Sequence, residues 1–193
     1  MEVLMKVHLK EVRLTFPQLF EAKQVNGQGE PKFSAAFLIP RNHPQLAQVS
    51  AAIQEAADGK WGAKAGDMLK QLKAADRLPV HDGDGKSDYE GYAGNLFVNA
   101  SNKIRPLVID GTRAPLTASD GKPYSGCYVN AIVEFWAQDN QFGKRVNASL
   151  LGVQFVRDGE RLAGGAVAAA DDFEAIPETA AAKTAAIGAS GLF

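Results

Sequence analysis

The chain has 193 residues, 46% of them hydrophobic, enough for one domain with a real core, and no apolar run approaches the length of a membrane span. Its net charge of −1 conceals a division, because the residues from Gly164 onward carry −3 and those before them +2, so bulk charge excludes a strongly basic polyanion binder and leaves placement to decide. Cys127 is the sole cysteine, which excludes an internal disulfide, and the opening residues lack the n-region and h-region of a secretion signal, so a reducing cytoplasm is the expected setting.

Residues 3–20 read as a strand, with Val7 and Leu9 on one face and Val12, Leu14 and Phe16 in a shifted phase. The shift at Lys10 and Glu11 predicts a bulge, and Pro17 is expected to stop the strand. A turn at Asn26–Gly29 leads to a second strand over residues 32–40, with Phe33, Ala35, Phe37 and Ile39 on one face and Lys32, Ser34 and Ala36 on the other. After Pro40 the period becomes helical. Leu46, Val49 and Ile53 predict a helix that stops near Gly59, and Met68, Leu69 and Leu72 predict another over residues 65–75. Residues 76–95, rich in glycine and acid, read as a long loop.

The stretch from Leu96 to Arg105 is the richest in chemistry. As a strand it puts Leu96, Val98, Ala100 and Ile104 on a core face, and Phe97, Asn99, Ser101, Lys103 and Arg105 on the other. An aromatic ring, hydrogen-bonding groups and two cations in one row suit sequence-tolerant contact with a single-stranded nucleic acid, whose bases stack and whose phosphates pair with cations. An ordinary half-buried strand with a solvated face has the same pattern. Val108 and Ile109 predict a short extension. Residues 128–138 alternate again, with Val129, Ala131, Val133, Phe135 and Ala137 inward, and a turn at 139–143 joins them as a hairpin to a last strand over 144–157. About five antiparallel strands with a helical insertion predict a mainly β fold, an OB-fold-like five-stranded Greek-key barrel over residues 1–163. Another small β-barrel or an α+β sandwich fits the same pattern. Residues 164–193, rich in alanine and acid, read as a flexible tail.

Enzyme signatures are absent from the sequence. No phosphate loop, GxSxG elbow or HExxH pair occurs, and His8, His43, His81 and Cys127 lack zinc-ligand spacing. The run from Asp82 to Asp88 fails the calcium-loop pattern at Lys86 and Ser87 and has no closing glutamate. No cofactor and no catalytic residue is expected. The binding candidates lie on strands, at strand ends and in the loop before the 96–105 strand: Lys10, Arg13, Lys32, Tyr89, Tyr92, Phe97, Asn99, Lys103, Arg105, Arg113, Trp136, Lys144 and Arg145. Interleaved aromatics and cations on a β platform suit stacking worth about 1–3 kcal/mol per base plus salt-sensitive phosphate contacts. Phe142, at the tip of the last hairpin, fits either stacking or packing under a loop.

The segments VRLTFPQLFEAK, KFSAAFLIP, GYAGNLFVNASNKIRP, YSGCYVNAIVEFWAQDN and GVQFVRDGERLAGG, taken in order over residues 6–174, resemble a bacteriophage family of replicative single-stranded-DNA-binding proteins. The resemblance implies an OB-like fold, ssDNA binding without sequence preference during replication or recombination in the bacterial host's cytoplasm, and an acidic C-terminal region that recruits phage or host replication proteins. Asp171, Asp172, Phe173 and Glu174 resemble such a recruiting motif, but about twenty residues follow it and the final Gly-Leu-Phe lacks adjacent acid. Two rival readings are a metal-dependent nuclease or recombination enzyme using Asp82, Asp84 and Asp88, and a virion structural protein.

Overall fold

The computed structural model describes residues 4–25 and 27–162. The acidic segment, with Asp171, Asp172, Phe173 and Glu174, lies outside the described residues. The elements are β1 (Met5–Val25), β2 (Gln28–Pro40), α1 (Leu46–Trp61), α2 (Ala65–Ala74), β3 (Val80–Asp82), β4 (Asn95–Asn102), β5 (Leu107–Ile109), β6 (Tyr128–Asn140) and β7 (Gly143–Arg157). All seven strands form one sheet in the order β3-β4-β2-β1-β6-β7-β5. The mainly β chain with a helical insertion is as expected; the five-stranded barrel is not. β3 hides inside the stretch read as a loop, because three residues give no alternation to detect, and pairs with β4 through Val80, His81 and Asp82. β5 runs parallel to β7 instead of extending β4.

The register of β1 shifts at four places, and the first two, each with a residue at positive φ, shape its course past the core. The first falls where the phase shift predicted it, with a register break between Leu9 and Val12 and Glu11 at φ 54°. The second lies between Thr15 and Gln18, with Phe16 at φ 47°. Pro17 therefore does not end the strand. It has no N–H to give a ladder, and the bulge places it where none is required, so β1 continues to Val25.

The sheet curls until β4 comes round toward β7. There Asn102 Nδ2 donates to the Leu150 carbonyl at 3.2 Å, and Val146 N–H donates to the Arg77 carbonyl at 3.2 Å. Among the described residues no ladder joins the two strands. Inside the curl, Val129, Ala131, Val133, Phe135 and Ala137 of β6 are all buried, as are Phe37, Ile39 and Val98 opposite them. α1 contributes Val49 and Ile53 to this core and α2 contributes Leu72, each large side chain adding about 1.5–3 kcal/mol relative to exposure. Ile104, expected on the core face of β4, is 76% exposed, because the strand ends at Asn102, whose side-chain oxygen accepts from Ile104 N–H at 3.0 Å and turns the chain.

A second, smaller cluster of Leu38, Tyr92, Phe97 and Leu162 covers part of the outer face of β2 and β4. The chain reaches it by a close approach at Gly83, where a Cβ would collide with the Tyr92 and Asn95 carbonyls.

Candidate nucleic-acid interface

An open groove of about 660 Å³ lies on the outer face of the sheet, at the seam where β4 meets β7. Its polar lining comes from both sides of the seam: Asn99, Ser101 and Asn102 from β4, and Gln138, Asn147 and Ser149 from β6 and β7. Trp136 stands among them, half-buried, its Nε1–H donating to Ser149 Oγ at 3.0 Å, which fixes the indole. Lys32, Arg77, Lys103 and Arg145 surround the groove. The lining residues include one carboxylate, Asp76, whose Oδ1 lies 2.7 Å from His81 Nδ1. Four cations around an uncharged hydrogen-bonding floor make a channel for a polyanion whose other edge carries donors and acceptors.

A second hollow of about 460 Å³ adjoins the first, and Asn99 and Ser101 line both. Its walls are Phe16, Tyr89 and Lys86, and its base is Tyr92 and Phe97. The Phe16 and Tyr89 rings are 43% and 45% exposed and meet edge to face, 5.4 Å apart.

The structure sorts the sequence candidates into three groups. Lys32, Asn99, Lys103, Trp136 and Arg145 line the groove, and Tyr89, Tyr92 and Phe97 line the hollow, with Asn99 shared. Phe97 and Tyr92 are not free platforms, being 2% and 3% exposed. Phe97 does point away from the main core, as its strand phase predicts, but the loop after β3 folds back over it. His81 stacks on its ring at 5.0 Å, Tyr92 packs edge-on at 4.9 Å, and the Lys86 ammonium stands 5.4 Å from its centre.

The third group is elsewhere or engaged. Arg13 is a brace, with Nε donating to the Gly126 carbonyl at 3.2 Å and Nη2 to the Glu160 carbonyl at 2.9 Å. Arg105, beyond the end of β4, lies 5.6 Å from the Phe20 ring centre. Lys144 pairs with Asp139 at 3.6 Å, and Arg113 sits at φ 73° in the turn organised by Asp110, whose Oδ1 accepts from Thr112 N–H and Ala114 N–H. Lys10 borders a separate hollow of about 250 Å³ with Leu107 and Ile132.

Arg77 also lines the groove, and Phe16 and Lys86 the hollow, none of which sequence reasoning singled out as a binding candidate. Phe16 had a signal, since a residue before proline at a break in alternation marks a bulge. Arg77 had none; its carbonyl bond to Val146 brings it in from the end of the helical insertion. The acidic loop is also accounted for. Arg41 Nη2 donates to Asp82 Oδ1 at 2.5 Å and to Asp84 Oδ2 at 2.7 Å, and that hydrogen bond holds the Asp82 carboxyl below the usual carboxylate range. Asp84 Oδ1 also accepts from Gly94 N–H at 2.7 Å, so these carboxylates tie a loop together. That engagement argues against their serving as the metal ligands of the nuclease reading.

The chain is similar to known bacteriophage proteins. The sequence-family model described as Enterobacter phage Enc34, ssDNA-binding protein, matches residues 5–184. A relative named putative protein p50, from Acyrthosiphon pisum secondary endosymbiont phage 1, is 52% identical over 175 residues, covering 88% of this chain and 93% of its own. The solved single-stranded DNA-binding protein from bacteriophage Enc34, in complex with ssDNA, superposes with a TM-score of 0.70 at 28% identity over 81% of this chain and 89% of that one. Gp2.5, the single-stranded DNA binding protein encoded by bacteriophage T7, shares the fold with a TM-score of 0.53 at 12% identity, over 89% of this chain and 93% of that one.

Proposed function

The chain belongs to the family of the Enterobacter phage Enc34 ssDNA-binding protein, and from that membership we propose that it binds single-stranded DNA along the groove at the β4–β7 seam, by equilibrium contacts and without covalent chemistry. The observation that carries the reading is the groove's composition: Lys32, Arg77, Lys103 and Arg145 around a floor of amides and hydroxyls, with one indole held among them. Cations on a flexible strand's phosphates give affinity that is strong and salt-sensitive, and stacking on an aromatic ring tolerates any base. A duplex hides its base faces, so single strands are preferred. By coating strands exposed during phage replication or recombination, in the host cytoplasm, the protein protects them and removes hairpins.

The assignment of Lys32, Asn99, Lys103, Trp136 and Arg145 to this site rests on their convergence in the groove. Asp171, Asp172, Phe173 and Glu174 are proposed as a hook for phage or host replication proteins on their sequence alone, an aromatic residue flanked by acids in a tail beginning at 164.

The test uses Trp136 as the reporter in a Trp61→Phe background, titrated with oligo-dT and with blunt duplex across a salt series. Quenching by oligo-dT at concentrations where duplex has no effect is expected. Equal response to both, or no response to oligo-dT at low salt, would overturn the proposal.

A further inference from the structure

We propose that the hollow between Phe16 and Tyr89 is a second nucleobase site, which holds an unpaired base of the strand whose phosphates run in the neighbouring groove. This rests on the ssDNA reading above and extends it to a residue that the sequence had placed in the core.

The first observation is the position of Phe16 itself. Its phase with Val12 and Leu14 would bury it, yet the second bulge of β1 turns it outward, with φ at 47° and the ring 43% exposed. A bulky aromatic residue at positive φ is an outlier, and such outliers persist where the surrounding structure enforces them, often at binding sites. Thr15 beside it is buried and hydrogen-bonded to the Tyr92 phenol, which anchors the bulge from the inside. The fold thus exchanges a core position for an exposed ring.

The second observation is what the ring faces. Tyr89 meets it at 5.4 Å with the planes at 89°, and buried Tyr92 and Phe97 lie beneath, so the two exposed rings rest on a packed aromatic floor. A flat heterocycle entering there meets one ring face and one ring edge. Lys86 lines the same hollow and supplies a cation for the adjoining phosphate.

The third observation is continuity. Asn99 and Ser101 line both the hollow and the cationic groove, so a strand can pass over β4 from one to the other without leaving hydrogen-bonding surface. That continuity selects a nucleobase as the occupant over an apolar peptide.

The experiment measures binding of the full chain to oligo-dT and to an abasic oligonucleotide of the same length, for wild type, Phe16→Gly, Tyr89→Ala and, as a groove control, Arg145→Ala. Glycine accepts φ at 47° without strain, so Phe16→Gly is expected to keep or raise the melting temperature while weakening oligo-dT binding by about fivefold or more. Tyr89→Ala should weaken oligo-dT binding similarly. Neither variant should change binding of the abasic strand, which has no base to stack, whereas Arg145→Ala should weaken both. Wild-type affinity for oligo-dT in Phe16→Gly, or an equal loss on both oligonucleotides, would overturn the proposal while leaving the groove reading intact. Failure of wild type to bind oligo-dT at low salt would remove the groove reading and this one with it.

Discussion

Glu30 and Lys103 form an ion pair beside the groove, the carboxylate on β2 reaching the ammonium that follows β4. The hydrogen bond and charge of Lys103, with a smaller contribution from Lys32, hold the Glu30 carboxyl below its usual range. On the proposed DNA path, a phosphate approaching Lys103 competes with this carboxylate. Glu30→Gln is expected to tighten oligo-dT binding at low salt by up to about fivefold, the scale of an exposed pair. Fluorescence anisotropy across a salt series checks this. Weaker binding in the variant would show that Glu30 orients Lys103 for phosphate instead of competing for it.

Lys103 and Arg105, neighbours in a predicted strand, should behave differently. Lys103 lines the groove, whereas Arg105 lies past the strand end against Phe20. Lys103→Ala should reduce the slope of log K against log salt by about 0.7, and Arg105→Ala should leave the slope unchanged. Equal flattening by both would place Arg105 on the DNA path.

Arg13→Ala should act on stability. Its guanidinium serves the carbonyls of Gly126 and Glu160, so alanine removes two charge-assisted donors and frees the segment that packs Leu162. A loss of about 1–3 kcal/mol in urea unfolding is expected, with the salt slope of DNA binding unchanged. A flattened slope at wild-type stability would return Arg13 to the interface.

Tyr92 sets an alkaline limit. Burial pushes its phenol above the usual tyrosine range, against a hydrogen bond with Thr15 that pulls it down. The folded state therefore favours the protonated ring, and its contribution to stability is complete below the ordinary tyrosine pKa of about 10 and lost as pH rises through the higher folded value. Urea midpoints should fall as pH rises above about 10, and fall less in Tyr92→Phe. Parallel curves would show that Tyr92 does not govern this range.

Much of the frame was legible because it rests on alternation. The five inward residues of β6, from Val129 to Ala137, needed only period two, and the first β1 bulge was visible as a phase slip. Phe97 shows where period two runs out. Phase correctly turns it away from the main core, but the covering loop depends on Gly83 approaching the Tyr92 and Asn95 carbonyls, a contact with no local pattern. Arg13 and Lys103 are both cations on or beside strands, and only long-range carbonyl positions decide that one is structural and the other faces the groove. Trp136 was readable as outward, whereas the Ser149 bond that fixes it needed the register of β6 with β7.

The seam between β4 and β7 has a mechanical consequence. Neighbouring strands within the sheet are laced by ladders, whereas across this seam, among the described residues, none runs: Asn102 Nδ2 reaches the Leu150 carbonyl, and Val146 N–H bonds the Arg77 carbonyl in the segment before β3. Such a bond contributes only about 0.5–1.5 kcal/mol net, so the buried side chains beneath the seam, Val98 and Ala100 of β4 with Val146, Ala148 and Leu150 of β7, carry much of its closure. The two walls are therefore held by packing and side-chain contacts instead of a fixed strand-to-strand spacing, so the width of the groove is set by which side chains meet at the seam.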